Sequence, residues 1–567
     1  MKVNLLNAWS VRLCLVIHSS FVVVHAGEDK SNRDYKLECE HVKKYAVSEK
    51  YQVDCLKNYH HYNSTKFKSS RKRLIDKSKL KIAEFNVLHP GSSKTRFKDY
   101  QKIASLINKW DIIGVTELLP LVGRDLKQNT ALVKFIEVYG PSKIKFYQSR
   151  SQDLEKKLIK EDNSRKIKTL KRAISNTTKL VAFYKEEIEK SKLNYRTPGY
   201  LKILDELHKL KGGSNWALVL APKGEAAKSR DVHELVGYFY KANIVKPVEN
   251  KYCDSIDPKA KYLNFACTVK MDSNALGKDN SDIFSRRPFM ASFKANNFDF
   301  TLLTSHVVFS SPDGRADREN IMRKAFGVGH YDDLSVGLNS TNYARFAEVK
   351  VTLDFIDRFK KRFGKQDVIF MGDLNLKFSN QFWPNVLDSA KGFELFIENE
   401  TSLSRGRYYS NDEETNGLSN DYDHFIFDPK ETSECTKADG SANAKVESFY
   451  KGAIGRYVRR LYEVRTDRVS EDEYNYNESK YQRLIDRFVT PFKNGKETIL
   501  KIGNKKIVTG GTTHSVRGLI DDNKEIDRYV DYFQSRILES QLSDSSYYSY
   551  FIDILSDHMP IVLECDI

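Results

Sequence analysis

The sequence predicts a layered α/β fold, and three stretches carry that expectation. The alternation Lys81-Ile82-Ala83-Glu84-Phe85-Asn86-Val87 is followed by an amphipathic stretch and then by the apolar run Ile112 to Glu117. Asp367-Val368-Ile369-Phe370-Met371 is a second apolar run, and it delivers Gly372-Asp373-Leu374-Asn375. The chain closes on Ile561-Val562-Leu563-Glu564-Cys565, which follows Ser556-Asp557-His558-Met559-Pro560. Short apolar runs bounded by polar residues read as strands. Strand, helix, strand, with a polar residue at each strand end, is how layered sheets build sites.

In chain order, Lys81 to Val87 alternates as a half-buried strand and offers Asn86 at its end. A helix is predicted around Phe97 to Asn108, with Tyr100, Ile103, Leu106 and Ile107 on one face. The next strand ends in the carboxylate of Glu117. Asn215 to Leu220 and Glu234 to Lys241 are further strands, the second with Glu234 at its start. Pro288 to Ala295 and Phe298 to Ser305 follow, the latter running into His306. A helix is predicted over Tyr343 to Phe363 from Phe346, Val349, Leu353, Phe355, Ile356 and Phe359. Asp421 to Phe427 is a strand that delivers Asp423. At Asp557 and His558, neighbouring side chains on a regular strand point to opposite faces. Both reach one site only where the strand begins with a bend, which Pro560 favours.

Two stretches interrupt this core. From about 142 to 212 the chain is Lys-rich and helical. Ile167, Leu170, Ile174, Thr177, Val181, Tyr184 and Ile188 recur at three-four spacing, as in a helix seam or two-helix hairpin with a basic outer face. From about 429 to 545 it is basic and Tyr-rich. Residues 27–80 read as a basic, exposed N-terminal extension, with Lys66, Lys68, Arg71, Lys72 and Arg73 close together. The core domain is then 81–567 with the two insertions.

The chain has 567 residues, 40% of them hydrophobic, and a net charge of +17. That balance favours anionic partners, nucleic acid or an anionic membrane surface. Residues 1–26 read as a signal peptide. Lys2 and Arg12 supply charge, Leu13 to Val24 is mostly apolar, and Val24-His25-Ala26 precedes Gly27 as a cleavage site. No stretch is long enough to span a membrane, so a secreted, extracellular or periplasmic protein is expected. Six cysteines remain after Cys14 is removed with the signal. An even number in an exported protein implies disulfides. Proximity favours Cys39–Cys55, Cys253–Cys267 and Cys435–Cys565 among the many pairings that sequence allows, and no spacing matches a zinc site.

Alone, an Asp-His pair says little. In this chain Glu117, His306, Gly372-Asp373-Leu374-Asn375, Asp423 and Ser556-Asp557-His558-Met559-Pro560 follow one another, each at a strand end. That order resembles the endonuclease/exonuclease/phosphatase superfamily, over the core segments from Lys81 to the C-terminus. The resemblance implies a four-layered α/β sandwich, two packed, mostly antiparallel or mixed sheets flanked by helices. Glu234 to Lys241 and Phe284-Ser285-Arg286-Arg287-Pro288 further resemble deoxyribonuclease I. That likeness implies that Glu234 orients His306 and that Arg286 contacts substrate phosphate. The nucleases of the family often carry Arg two residues after the metal glutamate. Here Leu118, Leu119 and Pro120 follow Glu117, and Arg124 is the candidate replacement.

Phosphodiester hydrolysis needs an activated water, a stabiliser for the developing charge and help for the leaving oxygen. A hard cation such as Mg²⁺ takes oxygen ligands. Glu117 is the expected first ligand, with Asn86, Asp557, Asp373 and Asn375 around it, and Mn²⁺ or Ca²⁺ are alternative ions. His306 and His558 are the proton-transfer candidates. Glu234 and Asp423 would each hold one imidazole in its useful tautomer. Asn375 would donate to the phosphate or the water. The expected function is a secreted, divalent-metal-dependent endonuclease acting on double-stranded DNA, with RNA as a second substrate. The alternatives are a sphingomyelinase or inositol-phosphate phosphatase on the same core, or a non-catalytic toxin subunit or binding module.

Overall fold

The computed structural model describes residues 34–47, 49–64, 78–91, 98–121, 123–211, 213–221, 234–256, 264–270, 283–334, 338–364, 367–388, 390–403, 417–449, 452–465, 498–502, 505–509 and 551–567. The expected signal peptide, the Lys66–Arg73 cluster and most of 466–550 lie outside them. The strands begin with β1 (Tyr51–Cys55), β2 (His60–Ser64), β3 (Lys79–Asn86), β4 (Ile112–Leu118), β5 (Trp216–Leu220) and β6 (Leu235–Lys241). Then come β7 (Lys246–Pro247), β8 (Ala266–Thr268), β9 (Phe289–Ala295), β10 (Phe298–His306), β11 (Asp367–Asp373), β12 (Glu394–Phe396) and β13 (Asp423–Phe427). The last are β14 (Ala444–Val446), β15 (Thr498–Ile502), β16 (Lys505–Thr509) and β17 (Ile561–Asp566). The helices that matter below are α1 (Tyr35–Tyr45), α2 (Tyr100–Ile107), α3 (Gly140–Ile159), α4 (Ser164–Leu193), α5 (Gly199–Lys209) and α6 (Asn342–Phe363).

Two mixed sheets pack face to face. The first has eight strands in the order β1-β2-β5-β6-β4-β3-β17-β14; the second has seven, β12-β13-β11-β10-β9-β7 with β8 also on β9. Side chains alternate across each strand. Thus Leu80 and Ile82 of β3 face the second sheet, while Ala83 and Phe85 face helices. The inter-sheet core also takes Tyr238, Tyr240, Phe293, Leu302, Ile369 and Phe425. Outside the first sheet lie α2 and α5, and outside the second lies α6. This is a four-layered α/β sandwich. The residues expected to form the apolar side of α6, from Phe346 to Phe359, are all essentially fully buried.

Each sheet contains one parallel pair, β3 with β4 and β10 with β11, each joined through a helix, α2 or α6. All other pairings within the two sheets are antiparallel. A parallel pair must deliver both its strand ends to the same edge. The antiparallel neighbours then bring strand starts to that edge: β6 beside β4, β13 beside β11, and β17 beside β3.

Three segments differ from expectation. The extension is not simply exposed: α1 and the β1–β2 hairpin fold onto the first sheet, β2 pairs with β5, and Cys39, Val53 and Tyr62 are buried. Its apolar positions are few and interleaved with Lys, which hides a strand in a basic stretch. The stretch 142–212 holds the expected two-helix hairpin, α3 and α4, and all seven seam residues sit on the less exposed side of α4. However, α5 belongs to the core, with Tyr200, Leu201, Ile203, Leu204 and Leu207 buried against the first sheet. Within 429–545, β14 extends the first sheet along β17, and Ile454 and Val458 of the helix Gly452–Arg465 enter the core. All three disulfides pair as expected.

Candidate active site

The site lies at the edge where the two parallel pairs end. Asn86 closes β3, Glu117 lies at the end of β4, His306 closes β10 and Asp373 closes β11. Strand starts supply the rest: Glu234 precedes β6, Asp423 opens β13, and His558 precedes β17. Pairing fixes these meetings, since His306 lies opposite Asp373, and Asp373 opposite Asp423. Gly372 shows how tight the joint is. Its φ is +151°, and a Cβ there would sit 1.9 Å from the Ser305 carbonyl oxygen, so the Gly-Asp order is set by the approach of β10. Glu117 has φ +56° at a register shift between Val115 and Leu118, a bulge that re-aims its carboxylate. Leu88, His89 and Asn375 also have positive φ, so unusual backbone is concentrated at this edge.

Two imidazoles converge on Asp373. His306 Nε2 lies 3.6 Å and His558 Nε2 3.4 Å from Asp373 Oδ2. Each ring is held from behind at Nδ1, His306 by Glu234 Oε2 at 3.0 Å and His558 by Asp423 Oδ2 at 2.7 Å. Asp423 is fixed in turn, its backbone N–H donating to Thr401 Oγ1 at 3.1 Å. Asn86 Nδ2 bridges Glu117 Oε1 at 2.9 Å and Asp373 Oδ2 at 3.1 Å, while its Oδ1 accepts from Leu88 N at 3.0 Å.

Burial and Arg286 press the His306 imidazole down in pKa. The hydrogen bond to Glu234 and the charges of Asp373 and Glu234 outweigh them, so it ends above its ordinary value. Burial likewise opposes the charged form of His558, but Asp423 and Asp373 raise it well above the usual range. Burial pushes Asp373 up, against the pull of the two imidazoles. Burial also works against Asp423 and Glu234 as anions, yet their imidazole partners hold both below the ordinary carboxylate range.

Glu117, His306 and Asp373 form one group of donor atoms within 4.8 Å of one another, and Asp373, Asp423 and His558 form another. A pair of buried carboxylates, with burial raising Asp373, suits a hard divalent cation. Two further expected ligands adjoin these groups: Asn86 touches both Glu117 and Asp373, and the Asp557 carboxylate acts electrostatically on the His89 and His558 rings. Asn86 turns its amide nitrogen, not its oxygen, to the carboxylates. The Asp557 backbone carbonyl accepts from Leu403 N at 2.6 Å, and its carboxylate lies 3.5 Å from Ser556 Oγ. Asn375 Nδ2 donates to the Val307 carbonyl at 3.0 Å, so it ties the β11 turn to the β10 turn. Arg286 sits over the Glu234–His306 pair, with Nε 2.6 Å from Glu234 Oε2 and Nη1 donating to the His306 carbonyl at 3.3 Å. The Arg124 side chain lies outside the described residues.

Sequence reasoning missed three members. His89 Nε2 lies 3.0 Å from both Glu117 Oε2 and Glu234 Oε1, at the partly exposed rim. Its His-Pro-Gly context was the available signal, three residues after Asn86. Glu84 points from β3 between the sheets, where burial and then Asp423 and Asp373 raise its carboxyl well above the ordinary value. Its sign in the sequence is a charged residue inside an apolar strand. Ser556 Oγ donates to the Asn86 carbonyl and accepts from His558 N at 3.1 Å, fixing the bend at the entry to β17.

No family model matches the chain, and no curated protein does. Solved structures do. The similar ones include endonuclease/exonuclease/phosphatase family proteins. One, from Bacteroides thetaiotaomicron, is 10% identical with a TM-score of 0.32, covering 86% of this chain and 97% of that one. The human Nocturnin catalytic domain with bound sulfate is 9% identical with a TM-score of 0.29, covering 68% and 88%. D. rerio TDP2, complexed with a single-strand DNA product, is 13% identical with a TM-score of 0.27, covering 66% and 89%. At such identities the functional reading rests on this chain's own residues.

Proposed function

We propose that the protein is a divalent-metal-dependent phosphodiesterase of the deoxyribonuclease I-like kind, cutting nucleic acid within the strand, with double-stranded DNA as first substrate. One observation carries this reading: two imidazoles, each held at Nδ1 by its own carboxylate, aim their Nε2 atoms at Asp373 beside Glu117. Glu117 and Asp373 would hold the ion, with His306 within reach and Asn86 orienting both carboxylates. A bound Mg²⁺ would offset charge developing on phosphoryl oxygens and acidify water. The chain's own residues supply the proton traffic. One Nε2 takes the proton from the attacking water, and the other gives one to the leaving oxygen. Glu234 and Asp423 keep those nitrogens pointed inward and stabilise each imidazolium. Arg286 holds the Glu234–His306 pair and adds positive charge for an anionic substrate.

The net charge of +17 supports a polyanionic substrate. The three disulfides support an oxidising, extracellular destination. Among the described residues no helix is long and apolar enough to cross a membrane. The deciding experiment is digestion of plasmid DNA with Mg²⁺, with and without EDTA, beside RNA and sphingomyelin. Nicking of plasmid that EDTA abolishes supports the reading. Hydrolysis of sphingomyelin alone, or no hydrolysis with any divalent ion, would overturn it.

A further inference from the structure

The α3–α4 hairpin is rooted on the rim of the site at both ends. The chain leaves for it from the segment after Glu117 and returns through Tyr195–Gly199 onto the turn after Asn86. There Gly199 packs so closely that a Cβ on it would lie 2.2 Å from the Pro90 carbonyl oxygen, one residue past His89. Asn129 fastens the two roots, Nδ2 donating to the Arg196 carbonyl at 3.0 Å and Oδ1 accepting from Arg196 N at 2.8 Å. Lys44 and Tyr45 of α1 brace the base, both donating to Glu137 Oε1 at 2.7 Å.

The outer face of α4 has a lopsided charge. Between Ser164 and Lys185 there are seven Lys or Arg and no Asp or Glu. At 3.6 residues per turn, Arg165, Lys168, Arg172 and Lys179 fall within about 60° of one another, opposite the buried seam, and span roughly 21 Å. All four are exposed. Among the described residues none of them forms an ion pair. The last turns of the same helix behave differently: Lys190 pairs with Glu186 and Glu187, and Lys192 with Glu189. Ordinary solvated helices mix signs in this second way. An uncompensated stripe repels itself and is relieved by an anionic partner. Thr169, Ser175 and Asn176 stand between its members and suit a hydrated phosphate backbone.

We propose that the outer face of α4 is a nucleic-acid-binding arm, in which Arg165, Lys168, Arg172 and Lys179 hold the phosphate backbone of the substrate beyond the site. This rests on the nuclease reading for the identity of the substrate, and its test is independent of cleavage. Binding of a fluorescein-labelled 30-base-pair duplex to the full chain would be followed by anisotropy in EDTA, at several salt concentrations. Three proteins would be compared: the native chain, the neutral variant Arg165→Gln/Lys168→Gln/Arg172→Gln/Lys179→Gln, and the charge-keeping variant Arg165→Lys/Arg172→Lys. The neutral variant should bind at least tenfold more weakly, and its slope of log K against log salt should flatten by about 3.6, about 0.9 per lost phosphate contact. The charge-keeping variant should bind within about twofold of the native chain, which also guards against a folding defect. Equal affinity and slope for the neutral variant would overturn the arm. So would binding to phosphatidylserine vesicles that the neutral variant loses while duplex binding is unchanged. If the native chain cleaves nothing with Mg²⁺ yet the neutral variant loses duplex binding, the catalytic reading falls and the arm stands.

Discussion

His558 Nδ1 lies 2.7 Å from Asp423 Oδ2, although 135 residues separate them in the chain. The contact is made because β13 starts, and β17 is entered, at the same edge of the two sheets. It fixes the ring so that Nε2 faces Asp373. Asp423→Asn would keep the shape and remove the charge. Hydrolysis should fall about 10²–10⁴-fold, the range for a displaced acid–base group, with little change in KM. An unchanged kcat would remove His558 from the proton-transfer role.

Glu117 and Asp373 are the buried carboxylates bridged by Asn86. Glu117→Gln should abolish saturable Mg²⁺ binding by calorimetry and depress activity that excess Mg²⁺ restores only in part. Native-like Mg²⁺ affinity in this variant would place the ion elsewhere.

His89 separates two acids, Glu117 and Glu234, at 3.0 Å from each. Burial opposes its charged form, but the hydrogen bond to Glu234 and the surrounding carboxylates raise its pKa. Removing it as His89→Ala leaves the acids facing each other. A 10–100-fold loss of activity or metal affinity is expected, as for other residues that orient ligands. The His89→Lys variant should recover part of it, which a purely steric role would not allow.

Glu348 on α6 is fully buried, and burial raises its carboxyl to about 8, despite a 2.8 Å hydrogen bond from Ser285 N. Between about 4.5, its ordinary value, and 8 the folded chain keeps a proton that the unfolded chain releases. Its contribution to stability is therefore complete below that window and is lost as pH rises through it, at most about 1.4 kcal/mol per pH unit. Glu348→Gln should flatten the urea-unfolding midpoint between pH 5 and 8 and raise it near pH 8. Parallel pH curves for the two proteins would contradict the assignment.

A disulfide joins Cys435, which follows β13, to Cys565 within β17, at a sequence separation of 130. Replacing both with Ser should cost roughly 2–5 kcal/mol, seen as a lower Tm. Activity at low temperature should survive if the sheets alone bring Asp423 to His558.

The strands that carry the site were legible because each is an apolar run with a polar residue at one end, and α6 and the α4 seam were legible from their three-four apolar spacing. The pairing of the six cysteines was also readable from proximity. The β1–β2 hairpin and α5 were not. Their apolar positions are sparse and set among Lys and Tyr, and they become core only where the first sheet covers them. Asn86 was expected as a ligand at the end of its strand, and Asp557 at the bent entry to the last strand. The direction of an amide, or of a side chain at a bend, is set by neighbours such as Leu88 N and Ser556 Oγ, which no local pattern reveals.

The sequence by itself determined the kinds of groups and the strand ends that bear them: Glu117, His306, Asp373, Asp423 and His558. Periodicity and polarity are local properties, so a linear chain displays them. Tertiary structure alone decided that two parallel pairs, in different sheets, end at one edge. It decided that both imidazoles turn Nε2 to the same carboxylate, and that His89 joins them. Those outcomes depend on strand register, on the bulge at Glu117 and on the close approach at Gly372. All three are set by partners tens to hundreds of residues away.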